Sequence, residues 1–243
     1  MATNIINIST YKFVCIYDTH ALRQAFRDVC GGLALKGTII VSPEGINIGV
    51  AGTEEAIAVL ENFLRNDTRL SDMVFKRSSS TEMPFERFVV KSKGHIVPTA
   101  IAVEAVEGTG THLSAQTLKQ WLDEGREFTL LDTRNDYEIE QGTFERAENF
   151  NLRNFKEIYA ALDDCDEATK AKPMVMFCTG GIRCEKGLPL ALRAGFKEVY
   201  QLDGGILRYL EECGAAHYQG GCYVFDQREV VDERLQAMIQ SGH

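Results

Sequence analysis

The sequence predicts an α/β protein built from two successive units. Strand-like and helix-like patterns of apolar residues alternate along the chain, and a stretch containing Gly94, Pro98, Gly108 and Gly110 interrupts them near residue 100. The content of 44% hydrophobic and 25% charged residues is that of an ordinary globular protein. We therefore expect two packed domains joined by a linker, which we place at residues 96–111.

The N-terminal unit, residues 1–95, is expected to follow the order β-α-β-β-α-β. Thr19 is expected to cap the first helix, which ends at Cys30-Gly31-Gly32, and Thr53 is expected to open the second helix. Strands are predicted at 11–17, 37–41 and 46–50, with a last strand starting at 73–76. This order is that of a ferredoxin-like α+β sandwich.

The C-terminal unit, residues 112–218, is expected to alternate strands with helices, and residues 219–243 are assigned to a C-terminal segment. Ser114 is predicted to cap the first helix. Strands are expected at 128–131, 147–152, 174–177 and 199–202, and later helices at 155–162, 184–194 and 206–212. A short extended stretch is expected within the linker at 101–106. This spacing favours a parallel, doubly wound sheet, in which ligands bind at the carboxyl ends of the strands.

The most informative segment joins the predicted strand at 174–177 to the following helix. It consists of six residues: Cys178, Thr179, Gly180, Gly181, Ile182 and Arg183. The glycines allow successive N–H groups to turn inward, while the helix N-terminus and Arg183 add positive charge. All of these favour the thiolate, which is the nucleophilic form of cysteine. The hypothesis requires amides that face the sulfur; the alternative is a buried structural cysteine beside a glycine turn.

Several motifs together resemble one protein family. They are Ser42-Pro43-Glu44-Gly45-Ile46-Asn47, Arg134-Asn135-Asp136-Tyr137-Glu138, Cys178-Thr179-Gly180-Gly181-Ile182-Arg183-Cys184-Glu185-Lys186 and Tyr223-Val224-Phe225-Asp226. The loop, together with Asp132-Thr133-Arg134 and Leu202-Asp203-Gly204-Gly205, makes residues 112–215 resemble a rhodanese domain. The whole set resembles the bacterial rhodanese-type tRNA uridine hydroxylases.

This resemblance implies a ferredoxin-like (acylphosphatase-like) domain followed by a rhodanese domain. It implies oxygen-dependent 5-hydroxylation of the wobble uridine of certain tRNAs, with dioxygen as co-substrate and the tRNA anticodon arm as partner. The catalytic cysteine of the family falls on Cys178. Many members continue into a cysteine-rich C-terminal extension, which we do not expect here because the sequence stops at His243.

The length of the loop separates neighbouring chemistries. Phosphatases with a comparable cradle place one more residue between cysteine and arginine, to enclose a tetrahedral oxyanion. The shorter loop here suits a single sulfur held on Cys178 as a persulfide. A general sulfurtransferase therefore stays open beside the hydroxylase, as does a non-enzymatic redox sensor, for which a thiol of ordinary pKa is expected.

Four further residues belong to the predicted site. Asp132 and Arg134 are expected to brace the loop through a buried salt bridge rather than to touch substrate. Arg183 is expected to hold the loop in shape and to contribute a positive electrostatic potential at the sulfur. The alternative is a purely structural role in an ion pair with a nearby carboxylate. Cys184 could attack an oxidised or persulfide form of Cys178 to make a disulfide, although an apolar filling role is the alternative.

The remaining cysteines and the histidines indicate no second site. Cys15 and Cys30 are predicted in the core, Cys165 in an exposed loop, and Cys222 is a candidate neighbour of Cys178. The five histidines show no ligand spacing, so we expect no metal: His20, His95, His112, His217 and His243. The sequence also shows no dinucleotide fingerprint, and no cofactor is evident from it.

Charge and segment composition bear on partners and location. Residues 1–100 carry 11 Lys and Arg against 10 Asp and Glu, and residues 101–243 carry 15 against 25. A nucleic-acid surface is therefore more plausible on the N-terminal unit, with residues 76–93 as the basic candidate and a solvated charged face as the equally open alternative. Phe85 and Phe88 are candidate stacking aromatics, with core positions as the alternative. We expect no membrane segment, no signal peptide and a cytoplasmic location. The oligomeric state stays open.

Overall fold

The computed structural model describes residues 4–103 and 111–238. The chain divides into two compact units. The N-terminal unit is Met1–Ile96 with Asp226–Arg228, and the C-terminal unit is Val97–Phe225 with Glu229–His243. Within the described ranges, no helix has the length and apolar character needed to cross a membrane.

The N-terminal unit is a five-stranded sheet with two helices. Its elements are β1 (Ile5–Phe13), α1 (Thr19–Cys30), β2 (Leu35–Ser42), β3 (Gly45–Gly52), α2 (Glu54–Arg65), β4 (Lys76–Ser80) and β5 (Phe88–Ser92). The strand order is β4-β1-β3-β2-β5, with β5 parallel to β2 and the other pairs antiparallel. The apolar faces of α1 and α2 pack on this sheet through fully buried side chains such as Phe26, Ile48 and Leu60. The predicted α/β class is confirmed, and β5 adds a strand to the predicted order.

Several local predictions in this unit are wrong. The first strand ends at Phe13 and starts at Ile5, because pairing with both β3 and β4 selects the earlier segment. Thr19 is the first helical residue rather than the cap. Asp18 holds the cap position but makes no capping hydrogen bond, since its carboxylate is engaged by Arg69. The last predicted strand begins at Lys76, not at residue 73.

The C-terminal unit is built on a parallel sheet. Its main elements are β6 (Thr111–Leu113), α3 (Ala115–Asp123), β7 (Thr129–Asp132), α4 (Asp136–Ile139), β8 (Gly142–Phe144), β9 (Ala147–Asn149), α5 (Ile158–Asp163), α6 (Glu167–Ala171), β10 (Met174–Phe177), α7 (Cys184–Arg193), β11 (Val199–Leu202) and α8 (Gly205–Cys213). The sheet order is β6-β11-β10-β7-β9, and every pair is parallel. Short antiparallel pieces follow: β12 (Tyr218–Gly220), which pairs with β8, and β13 (Cys222–Tyr223), which pairs with β14 (Val230–Val231).

Helices cover both faces of the parallel sheet, as the doubly wound prediction requires. Side chains of β10 alternate between the faces. Val175 and Phe177 pack in one core with buried residues of α3 and α8. Met176 faces α7, where its methyl group lies 2.8 Å from the point that a Cβ on Gly187 would occupy. Cys178 therefore leaves the central strand between two packed layers.

Several element bounds in this unit differ from the predictions, most of them by one residue. The strand predicted at 147–152 ends at Asn149, and the helix predicted from residue 155 opens with a 3-10 turn at Phe155–Glu157. Ser114 accepts a hydrogen bond from the Thr117 amide, so its predicted capping role is confirmed. Of the extended stretch expected at 101–106, residues 101–103 form no strand, and the rest lies outside the described residues.

Candidate active site

The parallel sheet places Cys178 beside Asp132. Phe177 and Asp132 are register partners at the carboxyl ends of β10 and β7, and Cys178 follows directly. The Thr133 amide and hydroxyl both donate to the Phe177 carbonyl, at 3.0 and 2.9 Å. These bonds tie the two strand ends together where the loop departs.

The loop points an amide at the sulfur. The Gly181 N–H donates to Cys178 Sγ at 3.1 Å, and the Gly181 carbonyl accepts from the Cys184 amide at 3.0 Å. Gly181 has φ +94°, a left-handed conformation that favours glycine. Cys178 is thus buried, at only 1% exposed, but its surroundings are not purely apolar, because a backbone amide donates to the sulfur.

The surroundings of Cys178 favour its thiolate. Burial by itself raises the pKa of this thiol, because it disfavours the charged form. A hydrogen bond from the Cys184 thiol, the charge of Arg183 and the amides of Arg183 and Gly181 outweigh burial and lower the pKa from 9.0 to about 6. The lowered pKa favours the thiolate of Cys178, the nucleophilic form, near neutral pH.

Helix α8 fixes the other side of the loop. The Ile206 amide donates to the Cys178 carbonyl at 3.0 Å, and the Leu207 amide donates to the Thr179 carbonyl at 3.1 Å. Gly205 permits this approach: it has φ +65°, and a Cβ there would lie 2.4 Å from the Cys178 carbonyl oxygen. Of the glycine pair after β11, Gly205 is therefore required by the loop.

Arg183 is held by a residue that the sequence analysis did not place in the site. Its guanidinium donates to both Glu138 carboxylate oxygens, Nη1 at 2.9 Å and Nη2 at 2.6 Å. Glu138 is fully buried, and its Oε2 also accepts from the Asn135 amide in the capping box that opens α4. Burial lowers the pKa of Arg183, but the bond to Glu138 and the charge of Cys178 raise it overall. The Asn-x-x-Glu spacing was the available signal for this residue.

Asp132 and Arg134 form an ion pair in which both side chains are fully buried. Arg134 Nη2 lies 2.7 Å from Asp132 Oδ2 and also donates to the Gly142 carbonyl at 2.6 Å. Its Nη1 donates to the Glu138 carbonyl at 3.4 Å. The pair therefore supports the segment that carries Glu138, and its part in the reaction stays a prediction.

The other cysteines differ from Cys178 in their surroundings. Burial raises the pKa of Cys184 well above its usual range, and the hydrogen bond to Cys178 raises it further. Burial likewise raises the pKa of Cys222 to about 12 and that of Cys30 to about 11. Cys15 is exposed, so its predicted core position is wrong, because the chain has already left β1. Cys165 is half-buried rather than exposed.

The basic segment at 76–93 is partly neutralised within the N-terminal unit. Arg77 forms ion pairs with Glu54 and Glu61. Phe85 and Phe88 are half-buried, and Phe88 packs against the core of its unit. Besides Arg77, the exposed cations of the segment are Arg87, Lys91 and Lys93.

The described histidines lie apart from one another. His95 contacts Glu44 and His217 contacts Asp123, while His112 lies between Gln201 and Asp203. His243 lies outside the described residues. In the part of the chain that the structure covers, no three His, Cys, Asp or Glu side chains are grouped so that they could hold a metal ion.

Comparison with known proteins matches both units. Residues 5–96 match the UPF0176 acylphosphatase like domain, and residues 114–212 match the Rhodanese-like domain. A protein of Thiobacillus denitrificans named tRNA uridine(34) hydroxylase is 45% identical over 241 residues, covering 97% of each chain. The chain belongs to the tRNA uridine(34) hydroxylase family. A further family member, from Variovorax paradoxus, is 44% identical over 96% of this chain and 91% of its own.

Solved structures are similar to part of this tRNA uridine(34) hydroxylase family member. The rhodanese-like domain of an Anabaena sp. protein covers 46% of this chain and 80% of its own, at TM-score 0.38 and 21% identity. A human single-domain sulfurtransferase covers 43% of this chain and 98% of its own, at TM-score 0.37 and 26% identity.

Proposed function

We propose that this protein hydroxylates C5 of uridine 34 in tRNA, in an oxygen-dependent reaction with Cys178 as the catalytic residue. The observation that carries the proposal is the thiol of lowered pKa, with the Gly181 amide 3.1 Å from its sulfur. The relatives' name supports the reaction and the substrate. A sensor with an ordinary thiol is disfavoured by the same pKa.

The net reaction defines what the site must support. In the hydroxylation, one atom of dioxygen enters the new hydroxyl at C5 and the other atom is reduced to water. The overall reaction consumes two electrons and two protons. A thiolate takes part in such chemistry as a nucleophile or as a carrier of oxidised or persulfide sulfur. The Gly181 amide and the Glu138-held Arg183 stabilise negative charge on that sulfur.

The tRNA is proposed to bind through its anticodon arm, in the cytoplasm where tRNA is used. The anticodon loop is single-stranded, so a base can be drawn out of the stack toward an enzyme site. Arg87, Lys91 and Lys93 are exposed and could neutralise phosphates. Binding of tRNA should then weaken steeply as salt is raised, and a salt-independent affinity would argue against these contacts.

The decisive experiment measures modified nucleosides in living cells. A deletion strain is complemented with the wild type, with Cys178→Ser and with Cys165→Ser as a matched thiol control. Mass spectrometry of total tRNA should show 5-hydroxyuridine derivatives with the wild type and the control only. Growth under ¹⁸O₂ should label the new hydroxyl oxygen. If the tRNA of the Cys178→Ser strain is modified at the normal level, Cys178 is not the catalytic residue.

A general sulfurtransferase is the second candidate. The six-residue loop closes around a single sulfur, with an amide donor at 3.1 Å that would equally stabilise a persulfide. Turnover of thiosulfate with cyanide distinguishes the two functions. Fast Cys178-dependent sulfur transfer, together with unchanged tRNA in the deletion strain, would favour the sulfurtransferase.

A further inference from the structure

Three aromatic rings form a connected cluster in the C-terminal unit. Tyr137 and Tyr223 meet edge to face with ring centroids 5.4 Å apart, and Tyr223 meets Phe225 in the same way at 5.3 Å. The two outer rings are unusually open to solvent, since Tyr137 is 45% exposed and Phe225 is 62% exposed. Adjacent exposed aromatics of this size are typical of a binding surface rather than of a core.

Each of the three aromatic residues is linked to the Cys178 loop. The Thr179 hydroxyl donates to the Tyr223 carbonyl at 3.4 Å. The guanidinium carbon of Arg183 lies 5.8 Å from the centroid of the Phe225 ring. At the other end, Tyr137 directly precedes Glu138, which holds Arg183. The exposed rings therefore lie at the edge of the reactive loop.

The net negative charge of residues 101–243 indicates which part of an RNA the cluster could bind. Residues 101–243 carry 15 Lys and Arg against 25 Asp and Glu, so phosphate neutralisation is disfavoured there. A nucleobase carries no charge, and its flat face stacks on Tyr and Phe rings or on an arginine plane. An unpaired base is therefore a better match to the cluster than the RNA backbone.

We propose that Tyr137 and Phe225 form a stacking platform for an unpaired base of the substrate tRNA beside the Cys178 loop. The proposal rests on the proposed function, because it takes RNA as the substrate. Tyr223 supports the two outer rings from between them, and Arg183 adds a cation at the Phe225 end. The platform thereby positions the RNA next to the reacting sulfur.

The test uses the full chain with Phe225→Leu and Tyr137→Leu, which keep apolar bulk but remove the rings. Tyr137→Phe keeps the ring, and Tyr17→Leu removes a ring that is 94% exposed in the N-terminal unit. The substrate is an anticodon stem-loop RNA with 2-aminopurine next to its uridine, so that stacking quenches fluorescence. Initial rates of hydroxylation are measured alongside, in air and with an extract of the deletion strain as the source of the two electrons that the reaction consumes. Alkylation of Cys178 at pH 7 reports that the loop is intact.

Each leucine variant of the platform should raise KM and reduce quenching, with KM increased roughly 5- to 150-fold for the loss of one stacked base. Tyr137→Phe and Tyr17→Leu should behave as the wild type. If the wild type hydroxylates the RNA, and Phe225→Leu and Tyr137→Leu both show the wild-type KM and quenching, the platform is wrong while the function stands. If the wild type quenches through these rings without hydroxylating, the platform stands and the reaction is wrong. A fall in kcat alone, or the absence of quenching by the wild type, overturns the platform.

Discussion

The acidity of Cys178 can be tested by removing one donor from its sulfur. The pKa of about 6, against an ordinary 9.0, corresponds to about 4 kcal/mol in favour of the thiolate. Cys184→Ala removes the thiol that donates to Cys178, while Cys184→Ser keeps a donor at the same position. Hydrogen bonds to charged groups contribute about 1.5–3 kcal/mol, so the alanine variant should raise the pKa of Cys178 by roughly one to two units.

The change is large enough to see at neutral pH. With a pKa of about 6, Cys178 is about 90% thiolate at pH 7. A pKa between about 7 and 8 would reduce that fraction to between about 50% and 10%. The rate of alkylation at pH 7 should therefore fall by roughly two- to tenfold in Cys184→Ala and much less in Cys184→Ser.

The assay follows iodoacetamide labelling of the Cys178 peptide by mass spectrometry from pH 5 to pH 9. Peptide-level detection excludes the exposed Cys15 from the measurement. The wild-type midpoint should lie near 6, and the alanine variant should shift it upward. A wild-type midpoint above 8, or equal midpoints for the alanine and serine variants, would refute the account of thiolate stabilisation.

Three further predictions concern stability. Because the folded pKa of Cys178 lies below 9.0, its stabilisation is complete above pH 9 and is lost as pH falls through about 6. The unfolding free energy of the wild type minus that of Cys178→Ser should therefore grow by about 3 kcal/mol from pH 6 to pH 9 in denaturant titrations, and a flat difference would contradict the lowered pKa. Gly205→Ala should destabilise by more than the roughly 1–2 kcal/mol expected for Gly125→Ala. Both glycines have a positive φ, but only a Cβ at 205 would meet the loop backbone, so equal thermal shifts would contradict this contact. Glu138→Gln should cost up to about 3–5 kcal/mol, because it leaves the largely buried Arg183 with Cys178 as its remaining counter-charge. The exposed Glu54→Gln should cost less than about 1 kcal/mol, and calorimetry showing similar losses would rule out the buried pair.

Local sequence signals predicted the centre of the C-terminal unit well. The apolar run of β10, the glycines that follow it and the amphipathic pattern of α7 are contiguous, so the strand, loop and helix were each expected where they occur. The strand β11 also matches its prediction. Asp132 and Cys178 could be expected at the same sheet edge because parallel strands end together.

Features that depend on distant pairing could not be predicted in this way. Glu138 and Arg183 are 45 positions apart, and nothing in either local pattern indicates that the loop arginine has a buried partner. The start of β1 depends on its pairing with β3 and β4, and β5 is stabilised by parallel pairing with β2. The aromatic cluster likewise joins α4 to β13 across the fold.

The hydrogen bonds from α8 also restrict the backbone at the start of the loop. Since the carbonyls of Cys178 and Thr179 are already occupied by the Ile206 and Leu207 amides, those peptide groups cannot easily rotate. The backbone that leads from Cys178 to the Gly181 amide is consequently held in place before any reactant arrives. In the reaction proposed for Cys178, negative charge on the sulfur would therefore meet a preorganised environment, and little reorganisation would remain for the reaction itself.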